Sequence, residues 1–113
     1  MSFPLPGEPV RGSKTGKPIM ALFDLLGRTW ALGIIWNLQK SSCTFRELQQ
    51  RCENISPTLL NKRISELKET SIVEKSLHGY CLTHLGNELF NLIEPLGSWS
   101  VNWNHSLKEG MDE

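Results

Sequence analysis

The sequence predicts a mainly α-helical α+β domain with one small β-hairpin, arranged as a winged helix-turn-helix with N- and C-terminal dimerisation helices. Three observations lead to this fold. A capped short helix is followed by a three-residue break and a second helix that begins at Ser56 and Pro57. Two short apolar segments separated by two residues then predict a hairpin. A last helix carries an apolar stripe that a body of this size cannot cover.

Residues 1–17 contain several prolines and glycines and few apolar side chains, which predicts a flexible N-terminal arm. The domain itself is expected to span residues 18–107, and residues 108–113 are expected to form an acidic tail. Pro18 suits a first helical turn, and Gly27 suits a left-handed residue just past the end of that helix. Residues 30–38 are apolar on nearly all sides and predict a central buried helix with Thr29 as its N-cap.

The next two helices form the predicted helix-turn-helix. Thr44 and Glu47 have the spacing of a capping box, so a short helix is expected from Thr44 to about residue 52. Residues 53–55 interrupt the pattern. Ser56 as N-cap and Pro57 at the first position then begin a helix that ends near Thr70. In this fold the second helix of the pair enters the major groove of DNA.

The hairpin and the last helix follow. Residues 72–77 and 80–83 read as strands, and His78 and Gly79 between them predict a two-residue turn. The last helix is expected to begin near Thr83 and to kink around residues 94–97, at Pro95 and Gly97. Its stripe has nearly the spacing of a coiled-coil seam and is made of Leu85, Leu89, Leu92, Leu96, Trp99, Trp103 and Leu107.

The second helix of the pair has an inner apolar stripe and an outer polar face. The outer face, about residues 56–69, is expected to contact DNA through Ser56, Pro57, Thr58, Asn61, Lys62, Arg63 and Ser65. Asn61 suits adenine, and Lys62 suits guanine or a phosphate, whereas Arg63 at the edge of the face suits a phosphate. Contacts to the DNA backbone are expected from Arg28, Thr44, Arg46, Lys75 and His78. For any single residue, a solvated helix face explains the pattern equally well.

Charge and composition limit the classes of function that the protein can have. Net charge is zero, but residues 10–75 carry 11 basic and 6 acidic side chains, so a local field toward a polyanion remains. The longest mainly apolar run is far shorter than a bilayer crossing needs, and the first residues do not resemble a secretory signal. The three widely spaced cysteines predict neither a disulfide framework nor a zinc site, which favours a reducing cytoplasm. No catalytic motif or cofactor-binding motif is found, so an enzyme, a metal and a cofactor are not expected.

From residue 17 to about residue 99 the sequence resembles the HxlR-type winged-helix transcriptional regulators, relatives of the MarR group. The most specific matches are Ile55-Ser56-Pro57 and the Leu-Thr-x-Leu-Gly pattern of residues 82–86. The resemblance implies a bacterial or archaeal DNA-binding homodimer whose N- and C-terminal helices form the interface. The interface residues it suggests are Leu22, Leu89, Leu92, Leu96, Trp99 and Trp103.

Two departures from the family pattern matter. Some members carry a redox-sensing cysteine just before the proline of the first helix, and here that position is Lys17, so thiol or quinone sensing is not carried over. The wing of the family is usually longer, which predicts a smaller contribution of the hairpin to affinity here.

The leading hypothesis is a sequence-specific regulator, a repressor that binds a pseudo-palindromic operator as a homodimer. The alternative is a winged-helix protein–protein interaction module without DNA contact, which the zero net charge and the short wing favour. The sequence leaves open whether the protein has a small-molecule effector and does not identify one. A pocket for it would lie between the dimer helices near Trp30, Trp36 and Phe90, although tryptophans at helical spacing are more often core.

Overall fold

A computed structural model describes residues 3–112, with the backbone alone for residues 111 and 112. Within residues 3–112 the chain forms six helices and one antiparallel hairpin, in the order α1 Pro18–Leu26, α2 Ala31–Leu38, α3 Phe45–Arg51, α4 Pro57–Glu69, β1 Val73–Ser76, β2 Gly79–Leu82, α5 His84–Ile93 and α6 Pro95–Asp112. This order confirms the predicted mainly α-helical class with a small β-hairpin.

Helix α2 lies at the centre of the core. It contacts α1, α3, α4, α5 and β2, and Ile34 and Ile35 have no exposed surface. One face still reaches the surface, because Leu32 and Trp36 are partly exposed. The predicted cap at Thr29 is wrong: the helix begins after Trp30, which has φ +69°, and no side chain caps it.

The turn between α1 and α2 differs from the prediction in a second way. Gly27 has φ −78° rather than a left-handed conformation, and Trp30 takes the positive φ three residues later. Arg28 N–H still donates to the carbonyl of Leu25, so the chain continues the helical winding beyond Gly27. The chain therefore changes direction at Trp30 rather than at Gly27, and the indole of Trp30 packs against Gly33.

Helices α3 and α4 have the predicted caps. The Thr44 hydroxyl accepts from Glu47 N–H at 3.1 Å, and Glu47 Oε1 accepts from Thr44 N–H at 3.0 Å, which completes the capping box. The Ser56 hydroxyl accepts from Leu59 N–H at 3.1 Å, and Pro57 is the first residue of α4. The sharp turn between the helices is made by Glu53 and Asn54, both with positive φ.

The hairpin turn lies one residue earlier than predicted. Ser76 pairs with Gly79, so the two turn residues are Leu77 and His78. Gly79 is therefore the first residue of β2. The next residue, Tyr80, exchanges backbone hydrogen bonds of 2.7 and 2.9 Å with Cys43, so β2 lies close to the segment before α3. A Cβ atom on Gly79 would lie 2.2 Å from the Cys43 carbonyl oxygen, and its φ is +122°.

Replacing Gly79 by alanine is expected to lower the free energy of unfolding by about 1–3 kcal/mol, because the new Cβ clashes with rigid backbone at a positive φ. Urea denaturation would measure this loss. Gly110→Ala is the matched control, since the added Cβ would meet no atom within 4 Å apart from its chain neighbours and the nearby backbone of its own helix. Equal stability of the two variants would show that the hairpin register is different.

Residues 3–17 do not hang free as the predicted flexible arm would. Gly7 N–H donates to the carbonyl of Gly16 at 2.8 Å, Val10 and Ser13 form an isolated bridge, and Pro4 is buried. The Arg11 guanidinium lies 3.1 Å from the buried Asp24 carboxylate of α1. The glycines permit the tight turns of this loop, and the ion pair fastens it to α1. Residues 1 and 2 lie outside the described residues.

The predicted break in the last helix is present. Helix α5 ends at Ile93 and α6 begins at Pro95, and Trp99 stacks on Trp103 with 5.8 Å between ring centroids. Helix α6 continues to Asp112, so the backbone of residues 108–112 is helical rather than a separate tail. The last residue of the predicted tail, 113, lies outside the described residues.

Candidate nucleic-acid interface

The outward face of α4 is polar and exposed. Leu60, Ile64 and Leu67 are buried in the core, as the helical spacing predicts. The exposed residues of the opposite face and of the helix start include Ser56, Pro57, Thr58, Asn61, Lys62 and Ser65. Hydroxyl, amide and ammonium groups of this kind suit base edges and phosphates in a major groove.

Arg63 is placed differently from the prediction. Its Nε donates to the carbonyl of Thr29 at 2.8 Å, and its Nη1 lies 3.0 Å from Glu66 Oε1. Only 12% of its side chain is exposed. The guanidinium therefore joins α4 to the turn before α2, and the structure does not present it to a phosphate.

Arg28 is also drawn into the protein. Its guanidinium pairs with Glu66 and lies 3.5 Å from Asp24 Oδ1. The side chains of Asp24 and Glu66 are only 2% and 3% exposed. The two buried carboxylates hold the Arg28 guanidinium inside the protein, and its predicted contact with the DNA backbone stays a prediction. Sequence spacing alone did not reveal that Glu66 points inward.

Two of the residues predicted to contact the DNA backbone, Thr44 and Arg46, lie at the start of α3. Arg46 is exposed on its first turn. Thr44 is exposed, but its hydroxyl is engaged in the capping box. Hydrogen bonds from Thr44 to the Glu47 carboxyl, first from the backbone N–H and then from the side chain, lower the pKa of that carboxyl, so Glu47 stays ionised at the start of the helix.

The hairpin lies beside α4. A polar cavity of about 150 Å³ is lined by Asn61, Ile64, Ser65, Lys68 and Glu69 of α4 and by Tyr80 of β2. The Lys75 Nζ lies 5.8 Å from the Tyr80 ring centroid, and His78 is exposed at the turn. The sequence reasoning missed Lys68 and Tyr80, although Lys68 follows Asn61 and Ser65 at helical spacing.

The helix-turn-helix and the hairpin expose less positive charge than the sequence suggests. Two of its cations, Arg28 and Arg63, are balanced by buried carboxylates. The exposed cations of the helix-turn-helix and hairpin are Arg46, Arg51, Lys62, Lys68 and Lys75. Exposed Glu47, Glu53, Glu69 and Glu74 lie on the same elements or the turn between them. The exposed cations of these elements are therefore nearly balanced by exposed carboxylates.

The cysteines do not form a reactive centre in the described residues. Burial raises the pKa of both the Cys43 and Cys52 thiols. Cys81 is partly exposed and lies on β2. A protonated thiol is a poor nucleophile, so the two buried cysteines are poorly suited to sensing oxidants.

In the folded protein at neutral pH, an aromatic disulfide reagent is expected to modify Cys81 rapidly and Cys43 and Cys52 slowly. The raised pKa keeps the two buried thiols protonated until the pH exceeds their ordinary range, so their rates rise only in alkali. Mass spectrometry after timed quenching measures each site. Fast modification of all three at neutral pH, without unfolding, would contradict this assignment.

The residues suggested for a dimer interface differ in how far they are exposed. Leu22 and Leu89 are half-buried, whereas Leu92 is 77% exposed. Leu96, Trp99 and Trp103 on α6 are all more than half exposed.

Of the residues suggested for an effector pocket, Trp36 and Phe90 pack edge to face, with 5.5 Å between ring centroids. A pocket between the helices of a dimer stays a prediction. An apolar cavity of about 330 Å³ lies elsewhere, between the N-terminal loop, α1 and α5, and includes Pro4, Leu25, Leu85 and Leu89.

Among the described side chains, those of residues 3–110, no group of three or more His, Cys, Asp or Glu residues could hold a metal ion. No single helix in residues 3–112 is long and apolar enough to cross a membrane. Within those residues, only α1 and α2 taken together reach that length and composition, and they are bent by 86°.

The fold and the exposed helix define a helix-turn-helix transcriptional regulator of the winged type. The HxlR-like helix-turn-helix family model matches residues 25–108, and the chain belongs to that family. Its members are regulators of transcription, and the protein is not an enzyme.

Relatives agree with this assignment. The chain is 24% identical over 88 residues to the HTH-type transcriptional regulator MJ0925 of Methanocaldococcus jannaschii, covering 74% of this chain and 83% of the relative. It is similar in structure to quinone-bound YodB of Bacillus subtilis, with a TM-score of 0.68, 30% identity, and coverage of 74% and 96%. A possible HxlR family transcriptional factor from Thermoplasma volcanium gives a TM-score of 0.67, 27% identity, and coverage of 74% and 82%.

Proposed function

We propose that the protein binds double-stranded DNA sequence-specifically as a homodimer and represses transcription by occluding its operator. The observation that carries this proposal is the exposed face of α4, which projects short polar groups and Lys62 away from the core. The flanking hairpin and Arg46 of α3 supply contacts on either side. Family membership supports the same activity.

Contacts to bases come from the middle of α4. Asn61 reads adenine through paired hydrogen bonds, and Lys62 contacts guanine or a phosphate. Thr58 and Ser65 lie one turn before and after them on the exposed face. With Arg28 and Arg63 engaged inside the protein, Arg46, Lys68 and Lys75 take the contacts to the DNA backbone.

The exposed apolar side chains of α5 and α6 support the proposed homodimer. Trp99 and Trp103 stack on each other while more than half of each side chain faces solvent. An exposed apolar stripe of this length is typical of a partner surface. A two-fold dimer places its α4 helices about 34 Å apart, or a multiple of that distance, and so reads a pseudo-palindrome.

The double substitution Trp99→Ala and Trp103→Ala is expected to convert the dimer to a monomer, because it removes the two largest side chains of this surface. Light scattering measures the mass. The circular dichroism spectrum should keep its helical signal, since both residues lie outside the core. A double variant that remains dimeric would place the interface elsewhere.

The effector remains unassigned. YodB has been solved bound to a quinone. In this chain Lys17 precedes the proline that begins α1, and the buried thiols have raised pKa values. We therefore do not extend quinone or thiol sensing to this protein.

A protein–protein module without DNA contact is the second candidate, favoured by the zero net charge and the exposed acidic residues beside α4. Gel-shift affinity at several salt concentrations separates the two. Several phosphate contacts give a steep negative slope of log affinity against log salt, at about 0.9 per phosphate. A slope near zero, or no DNA binding at 50 mM salt, would favour the protein module.

A further inference from the structure

A chain of alternating charges joins the N-terminal loop to α4. Its three cations are Arg11, Arg28 and Arg63, and the two carboxylates between them are those of Asp24 and Glu66. Arg11 Nε lies 3.1 Å from Asp24 Oδ1, and Arg28 Nε lies 3.5 Å from the same oxygen. Arg28 also pairs with Glu66, whose Oε1 lies 3.0 Å from Arg63 Nη1. Each carboxylate is therefore shared by two guanidinium groups.

The chain of charges runs from the surface into the protein. The Arg11 side chain is 65% exposed, whereas those of Arg28 and Arg63 are mostly buried. The carboxylates of Asp24 and Glu66 are almost fully buried. Charges in a protein interior interact more strongly than charges in water, so a change at one member alters the interactions of the next.

Arg28 lies between two carboxylates that compete for it, Asp24 and Glu66. Arg11 supplies Asp24 with a second guanidinium and so weakens the net attraction of Asp24 for Arg28. Without the Arg11 charge, Asp24 attracts Arg28 more strongly. The pair between Arg28 and Glu66 then weakens. The Arg11 charge therefore favours the arrangement in which the Arg28 guanidinium holds Glu66.

Glu66 and Arg63 attach α4 to the turn between α1 and α2. Arg63 Nε donates to the Thr29 carbonyl at 2.8 Å, and Glu66 accepts from Arg28, one residue before Thr29. Both attachments lie on the same helix as the exposed face that is proposed to read bases. Specific recognition needs side chains placed to within about 0.5 Å. The orientation that these attachments give α4 therefore affects specific binding.

We propose that Arg11 is a positioning residue for α4: its charge, held on Asp24, keeps α4 in the orientation that presents the exposed face to DNA. This inference rests on the proposed function and adds to it a residue outside the helix-turn-helix. Arg11 acts through Asp24 and Arg28 and does not touch DNA. The Arg11 backbone N–H also donates to Asp24 Oδ2 at 2.9 Å. Arg11→Ala therefore removes the charge and leaves this attachment of the loop in place.

The test compares affinities for an operator that the wild-type protein binds and for a scrambled duplex. Arg11→Ala is expected to lower operator affinity about fivefold, without changing the affinity for the scrambled duplex or the slope of log affinity against log salt. Arg11→Lys should stay within about twofold of wild type, since an ammonium group can still pair with Asp24. Lys14→Ala removes an exposed cation from the same loop and is the matched control, which should behave as wild type.

A second measurement follows α4 in the free protein. Hydrogen exchange of the α4 backbone amides should be about threefold faster in Arg11→Ala than in wild type, whereas the amides of α5 should change less. Arg11→Lys should restore the wild-type exchange of α4. A general loss of stability would instead speed exchange in both helices alike.

Unchanged operator affinity in Arg11→Ala, or an equal rise of exchange in α4 and α5, would overturn the inference. A salt slope reduced by about 1 in Arg11→Ala but not in Lys14→Ala would also overturn it, because Arg11 would then contact a phosphate itself. A wild-type protein that binds no DNA would overturn the proposed function and the expected effect on affinity. The exchange measurement would still decide whether Arg11 positions α4.

Discussion

Glu66→Ala is expected to lower the free energy of unfolding by about 3–5 kcal/mol, which is the cost of removing one partner from a buried ion pair. Glu66 is 3% exposed and accepts from both Arg28 and Arg63. Without it, two largely buried guanidinium groups lose their carboxylate, and Arg28 keeps Asp24 as a counter-ion at 3.5 Å. Chemical denaturation monitored by tryptophan fluorescence measures the loss.

Glu69→Ala is the matched control for this substitution. It removes the same side chain from the same helix, but from an exposed position. It should change the free energy of unfolding by less than about 0.5 kcal/mol. If Glu66→Ala were as mild as Glu69→Ala, the buried charges would not hold α4 against the turn before α2.

Asn61→Ala combined with Lys62→Ala is expected to reduce operator affinity to the level of unrelated DNA. Each lost base contact costs about 1–3 kcal/mol, which is roughly a 5- to 150-fold loss in affinity. Both side chains are exposed and outside the core, so stability and dimer mass should be unchanged. Gel-shift titration against the operator and a scrambled duplex measures the specificity ratio.

Lys40→Ala combined with Asn91→Ala is the control for charge and composition. Both residues are exposed and lie outside the helix-turn-helix. This control should keep the wild-type specificity ratio. A preserved ratio in the Asn61 and Lys62 double variant would remove the base-reading role from this face of α4.

Local signals in the sequence predicted the helix-turn-helix well. The capping box of Thr44 and Glu47 and the start at Ser56 and Pro57 are both present, because hydrogen bonds between neighbouring residues determine them. The inward set of α4 was also predicted, since a 3.6-residue period follows directly from helix geometry. The winged fold itself was confirmed.

Features that depend on distant partners were not predictable in the same way. The hairpin turn lies one residue earlier than predicted, and Gly79 is instead the residue at which β2 approaches Cys43, 36 positions away in the chain. The sequence predicts Arg28 and Arg63 as surface cations. In the structure both pair with Glu66, which is buried although the preceding residue, Ser65, is exposed. The N-terminal loop was read as flexible, although Arg11 pairs with Asp24.

Selection of bound sequences from a pool of random duplex DNA tests the central claim most directly, since it requires no knowledge of the operator. If α4 reads base edges in a dimer, the selected sequences should converge on a pseudo-palindrome with half-site centres about 10 base pairs apart or a multiple of that spacing. The Asn61 and Lys62 double variant should select nothing. Recovery of unenriched DNA by the wild-type protein, at a salt concentration where it remains folded and dimeric, would contradict the account.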